Sequence, residues 1–263
     1  MSDGYVDIGS GNLWVKDEGN GPAIVFLHGF SFDHRQWAPQ IEELAADFRC
    51  IAYDLRGFGR SAPPDTRYDH VLDLHALLGA LNLDAPALVG LSLGANVSMA
   101  HTARYPQVAS KLVLVSSGLP GFAWSEQRPP EAAKAYADAH GATATKEFWL
   151  AQSPFDSLQD YPDAKSAVHT MVADYSGWHW ENSDPRDFNP PGQDPNSVTC
   201  PTLVVRGARD MQGYRDIAEV LAKTIRGASL VTFEEAGHML TMEEPERFNA
   251  LLAKFIASQE EMS

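Results

Sequence analysis

Ala87-Leu88-Val89-Gly90-Leu91-Ser92-Leu93-Gly94-Ala95-Asn96 is an apolar run that breaks at a serine between two glycines. Ala87 to Gly90 reads as a buried strand, and helical period takes over from Leu93 to about Tyr105. A G-x-S-x-G between strand and helix requires a turn tight enough to hold the serine at strained backbone angles. The residues two before and two after it must then be too small to clash. Gly90 and Gly94 meet that demand. The same five residues also fit an ordinary strand end with a helix-capping serine, so the choice rests on what surrounds them.

On both sides of this turn, short continuous apolar runs alternate with longer stretches of helical period, the pattern of strands buried on both faces and joined by helices. Ala23 to Leu27 is one such strand, followed by Asp33 as N-cap with Gln36 three residues on, ahead of Trp37, Ile41, Leu44, Ala45 and Phe48. Cys50 to Tyr53 comes next, then a helix carrying Val71, Leu74, Leu77, Leu78 and Leu81; Lys111 to Val115 follows the serine helix. Tyr5 to Glu18 alternates and turns at Gly9 to Asn12, which predicts an antiparallel hairpin on the sheet edge. After Ser117 the alternation stops, resuming with Pro201 to Val205, Ile217 to Ile225, Leu230 to Phe233 and a last helix bearing Phe248, Leu251, Leu252, Phe255 and Ile256.

The stretch between holds nine of the 17 prolines and four of the six tryptophans, with helical pieces at Ala132 to Ala139 and Ser166 to Asp174. A structureless loop of that length is improbable in a compact domain. The expected architecture is therefore α/β: a mostly parallel eight-stranded sheet with helices on both faces and an inserted helical cap. The core is expected over residues 1–118 and 200–263, and the cap over 119–199.

If Ser92 is a nucleophile, an acid should follow a later strand and a histidine the last one. Leu203 to Val205 runs into Arg206-Gly207-Ala208-Arg209-Asp210, and Leu230 to Phe233 into Glu234-Glu235-Ala236-Gly237-His238. Asp210, His238 and Ser92 would thus emerge on one edge of a parallel sheet, where ligands of open α/β sheets bind. Stabilising a developing oxyanion needs two backbone N–H groups. Leu93, at the positive end of its helix, offers one; Phe30, in the loop where Gly29 lets the chain turn tightly, offers the other.

The surrounding residues, His28-Gly29-Phe30, Asp54-Leu55-Arg56-Gly57-Phe58-Gly59-Arg60-Ser61, the turn at Ser92, Gly207 to Asp210 and Gly237-His238, resemble the α/β-hydrolase superfamily across nearly the whole chain outside the cap. Asp33 to Gln40 followed by Tyr53 to Gly57 is similar to its 3-oxoadipate enol-lactonase and cofactor-free haloperoxidase/esterase branch, although Ala95 stands where a second glycine often follows the serine turn. The resemblance implies a serine hydrolase cleaving a carboxylic ester or lactone through an acyl-enzyme, with no cofactor. Hydrolysis of a carbon–carbon bond in a β-diketone or ring-fission product is the alternative. Relatives with that activity usually carry Gly-Pro-Gly after the histidine-glycine pair, where this chain has Phe30-Ser31-Phe32. Epoxide and haloalkane hydrolases place an aspartate at the position of Ser92. A third alternative, from another class, is a small-ligand receptor on the same fold.

Composition narrows the partners. The chain has 263 residues, 44% of them hydrophobic and 21% charged, enough for a full core. Twenty basic against 35 acidic residues leave a net charge of −15, which repels phosphate backbones and anionic lipid. The expected partner is a small-molecule substrate, with no nucleic acid and no membrane; the longest apolar runs fall far short of the roughly 20 residues a span needs. Two cysteines and a start without signal-peptide character suggest the cytoplasm. None of the nine histidines has a convincing metal-ligand spacing, so no metal is expected.

Several conspicuous residues have structural readings. His28 ends a buried strand and is expected to be hydrogen-bonded there; Asp54 and Arg56 should brace their turn; Asp184 and Asp187 should be solvated. Cys50 and Cys200 read as small buried residues. His179 either packs the cap or faces substrate. The same two readings apply to Phe122, Trp124, Phe148, Trp149, Tyr175, Trp178 and Trp180, with Trp124, Trp149 and Trp178 named as candidate substrate contacts.

Overall fold

The computed structural model describes residues 3–64, 67–182 and 194–258. Eight strands form one sheet: β1 (Gly4–Asp7), β2 (Asn12–Glu18), β3 (Ala23–Leu27), β4 (Arg49–Tyr53), β5 (Ala87–Leu91), β6 (Lys111–Val115), β7 (Thr202–Gly207) and β8 (Ser229–Phe233). Their order is β1-β2-β4-β3-β5-β6-β7-β8. The expected hairpin is present: β1 pairs antiparallel with β2, and β2 with β4, while every other neighbouring pair is parallel. Ile24 to Leu27, all of β5, and Leu112 to Val115 are buried at successive residues, so both faces of the sheet are covered.

The helices are α1 (Ala38–Leu44), α2 (His70–Ala80), α3 (Leu93–Arg104), α4 (Pro129–Leu150), α5 (Pro162–Asp174), α6 (Trp178–Glu181), α7 (Gln212–Thr224), α8 (Leu240–Glu243) and α9 (Pro245–Ala257). In the sheet layers α1 packs with α9 and α2 with α3. Asp33 does cap, but it caps a 3-10 turn over His34–Trp37 that precedes α1, its carboxylate accepting from Arg35 N. Gln36 does not close a capping box. It is buried and accepts the Gly29 N–H at 2.9 Å instead.

Among the described residues, the insert between β6 and β7 contains helices α4, α5 and α6, a 3-10 segment over Ser153–Asp160 and a 3-10 turn over Pro195–Ser197. The periodic piece at Ala132 to Ala139 lies in α4, which kinks at Gly141 (φ 77°, ψ 163°). No helix among the described residues is long and apolar enough to cross a membrane. Asp184 and Asp187 lie outside the described residues.

Sheet order also locates the crevice. From β3 the chain moves to β4 on one side, whereas from β5 it moves to β6 on the other. Where adjacent parallel strands send their connections in opposite directions, the loops at their carboxyl ends part and leave a ligand-sized gap. Here those loops begin at His28 and Ser92.

Candidate active site

Ser92 sits between β5 and α3 at φ 55°, ψ −108°. That conformation costs a residue bearing a Cβ on the order of 1–3 kcal/mol, so the surroundings must enforce it. They do so through contact. A Cβ on Gly90 would lie 2.3 Å from Gly94 O, and one on Gly94 would lie 2.1 Å from Leu27 O. Ser92 N is held by Val115 O at 2.9 Å, and Asn96 N donates to Ser92 O at 3.0 Å. Ala95 is fully buried and fits where a glycine is common.

Asp210 and His238 are brought together from the loops after β7 and β8. His238 Nδ1 is 2.9 Å from Asp210 Oδ2 and 3.1 Å from Oδ1, and both side chains are buried. Met211 N donates to Asp210 Oδ1 at 2.7 Å, fixing the carboxylate. The two loops are stitched by Ala208 N to Phe233 O (2.8 Å) and Arg209 N to Ala236 O (3.0 Å). Gly207 allows this approach, since its Cβ would lie 2.2 Å from Gly237 O.

In the loop after β3, the neutral imidazole of His28 is clamped: Leu55 N donates to its Nε2 at 3.0 Å and its Nδ1 faces Gly29 O at 2.7 Å. Burial lowers its pKa further. The Gly29 N–H is taken by Gln36, whereas the Phe30 and Leu93 N–H groups donate in no hydrogen bond among the described residues. Trp149 of α4 reaches down to this loop, its Nε1 donating to Ser31 Oγ at 2.7 Å.

A cavity of about 1020 Å³ lies above Ser92, with Phe30, Leu93, Trp124, Trp180 and Tyr214 in its wall. Among the three tryptophans expected at substrate, Trp124 lines it. Trp149 is buried against Phe30 and Phe155, and Trp178 packs edge-on against His179, so Trp180 takes the place expected for them. Phe122 also lines the cavity, and Phe148 stacks on Tyr136 away from it. His179 does both things considered for it: it stacks on Phe58 at 4.2 Å, with the Tyr175 and Tyr68 hydroxyls at 2.8 and 3.2 Å, and it lines the cavity.

Two residues of the site carried no sequence signal. Tyr214, on α7, lines the cavity with its ring 4.3 Å from the His238 imidazole. Glu243, on α8, accepts from Gly237 N at 2.5 Å and from Ser157 Oγ at 2.8 Å, and burial raises its pKa. Asp54 and Arg56 brace their turn: Asp54 accepts from His34 N and Arg60 N, and Arg56 pairs with Asp73 at 2.7 Å. Asp33, His34 and Asp54 converge closely enough to hold an ion, a grouping formed by two separate loops, but their oxygens are engaged by Arg35, His34 and Arg60. Cys50 and Cys200 are buried, and burial pushes the Cys50 thiol up to about 12.

A strained serine at the carboxyl end of a parallel strand, in the wall of a cavity, together with an aspartate–histidine pair in the loops after β7 and β8, is the site of a hydrolase on an α/β scaffold. Residues 24–251 match the alpha/beta hydrolase family, and the chain belongs to that family. It is 30% identical to a pimeloyl-[acyl-carrier protein] methyl ester esterase of Chromobacterium violaceum, over 94% of this chain and 99% of that one. It is 25% identical to 3-oxoadipate enol-lactonase 1 of Acinetobacter baylyi, over 94% and 93%. Among solved structures, Est816, described as an N-acyl homoserine lactone degrading enzyme, superposes with a TM-score of 0.79 at 28% identity, covering 96% of this chain and all of that one.

Proposed function

We propose that this protein is a serine hydrolase that cleaves a carboxylic ester or lactone of a small, partly apolar molecule. The observation that carries the reading is the strained turn that holds Ser92 in the cavity wall together with Phe30, Leu93 and Tyr214. Tyr214 neighbours both the Ser92 hydroxyl and the His238 ring of the Asp210–His238 pair, and the Phe30 and Leu93 N–H groups make no hydrogen bond among the described residues. Ser92 attacks the carbonyl carbon while His238 takes its proton. The Phe30 and Leu93 N–H groups hold the resulting oxyanion, Leu93 with the added field of its helix end. Asp210 keeps the proton on His238 Nδ1, so that Nε2 is the basic nitrogen; His238 then protonates the leaving oxygen, and water releases the acid.

Residues 119–199 act as the cap, and their aromatic side chains supply the apolar wall of the cavity. Trp124 and Trp180 are the tryptophans that touch substrate. Ester and lactone relatives support this substrate class, and Phe30-Ser31-Phe32 in place of Gly-Pro-Gly after His28-Gly29 favours it over carbon–carbon hydrolysis, although a 2-hydroxy-6-oxononadienedioate/2-hydroxy-6-oxononatrienedioate hydrolase of Paraburkholderia xenovorans is 27% identical. Two buried thiols and no disulfide support action in a reducing compartment.

The test is turnover of p-nitrophenyl esters and simple lactones by wild type and Ser92→Ala. The substitution should lower turnover by about 10⁶-fold. Equal turnover by both proteins would overturn the assignment of the nucleophile, and tight ligand retention after slow single turnover would favour a receptor.

A further inference from the structure

We propose that Tyr214 is a further catalytic residue, its hydroxyl donating a hydrogen bond to the leaving oxygen as the acyl–oxygen bond breaks. This rests on the serine-hydrolase reading and adds a named group to it.

The tyrosine is held from three sides. Its ring lies 4.3 Å from the His238 imidazole and 5.0 Å from Trp124, which meets it edge-on. Trp124 can come so close because residue 213 is glycine; a Cβ there would lie 2.3 Å from the indole. Gly213 N is itself held by Glu126 at 3.2 Å, so the segment entering the cap grips the start of α7. Tyr214 lines the cavity beside Ser92, whose hydroxyl is its polar neighbour, while its ring lies against His238. On the histidine side, a bound alcohol portion therefore meets this phenol.

Sheet order assigns the side. The oxyanion donors belong to the loop after β3 and to the serine turn, while Tyr214 arrives from beyond β7, on the opposite flank of β5. It shares that flank with His238, which delivers the proton to the departing oxygen. The bonds balance without change to the tyrosine: Ser92 Oγ bonds to the acyl carbon, the carbon–oxygen bond to the leaving group breaks, and the imidazolium proton moves to the freed oxygen. Tyr214 keeps its own proton. Burial and the Asp210 carboxylate push the phenol up to about 12, so it remains an O–H donor throughout the neutral range.

A donor to the leaving oxygen matters most when that oxygen leaves poorly; a ring that merely packs on His238 affects every substrate alike. The experiment measures kcat/KM, which reports acylation, for a series from 4-nitrophenyl to 4-methoxyphenyl acetate with wild type, Tyr214→Phe and Ser92→Ala. Tyr214→Phe should lose about 10- to 100-fold on the methoxy ester and little on the nitro ester, steepening the dependence on leaving-group pKa. A uniform loss, or none, overturns the proposal. Should the variant fail to fold, the wild-type series still decides: a shallow dependence is expected, and a steep one overturns it. Undiminished turnover by Ser92→Ala would instead overturn the nucleophile, so the two failures are distinct.

Discussion

At Gly94 one methyl group separates a working turn from a collision. The atom it would strike, Leu27 O, belongs to the backbone of the central strand β3 and cannot rotate away. Gly94→Ala should therefore cost about 3 kcal/mol of stability, measured by urea unfolding, and move Ser92 off its position. A matched Gly79→Ala variant should show no such loss, because nothing lies within 4 Å of a Cβ there and the exchange favours helix. Ser92, Asp210 and His238 could be picked out from sequence because each lies within five residues of the end of a short apolar strand, in the loop that follows it. Tyr214 and Glu243 follow no such rule. Their positions depend on how α7 and α8 pack, which short-range pattern does not encode.

At the scale of elements, the loop bearing His238 is tied to the cap. Glu243 bridges Gly237 N and Ser157 Oγ, linking α8 to the 3-10 segment below the cap helices. Burial raises its pKa, so the folded protein holds this proton at a pH where the unfolded chain has released it. Stability from this group is therefore greatest at low pH and falls as pH rises from the ordinary carboxyl range upward. Glu243→Gln keeps an acceptor for Gly237 N and removes the buried charge. It should be at least as stable as wild type at pH 7, with the advantage vanishing near pH 4. Glu243→Ala strands two polar groups and should cost about 2 kcal/mol. Denaturant unfolding of the three proteins at both pH values checks the sign. The cap elements show why its lining was hard to foresee: Trp178 and Trp180 stand two residues apart in α6 and face different neighbours.

Over the whole molecule, the net charge of −15 sets a field that the cavity does not offset locally. Arg128 and Lys134 stand in its wall, but each pairs with an acid of α4, Glu131 and Asp138. Hydrolysis of an anionic ester, such as the p-nitrophenyl half-ester of a dicarboxylic acid, should therefore speed up several-fold in kcat/KM between about 0.01 and 0.15 M salt. A neutral ester should be indifferent, and stopped-time assays at the two ionic strengths distinguish them. The strands, the insert and the three candidate loops are legible in the amino-acid pattern, because a buried parallel strand needs a continuous apolar run and a tight serine turn needs glycines, whereas the order of the strands in the sheet is not. Folding in three dimensions assigns Trp180 instead of Trp149 and Trp178 to the cavity, Gln36 to Gly29 and Tyr214 to His238. The tryptophan and tyrosine placements depend on the packing of helices against one another, and Gln36 reaches back seven residues to a backbone N–H, none of which the period of a single element encodes.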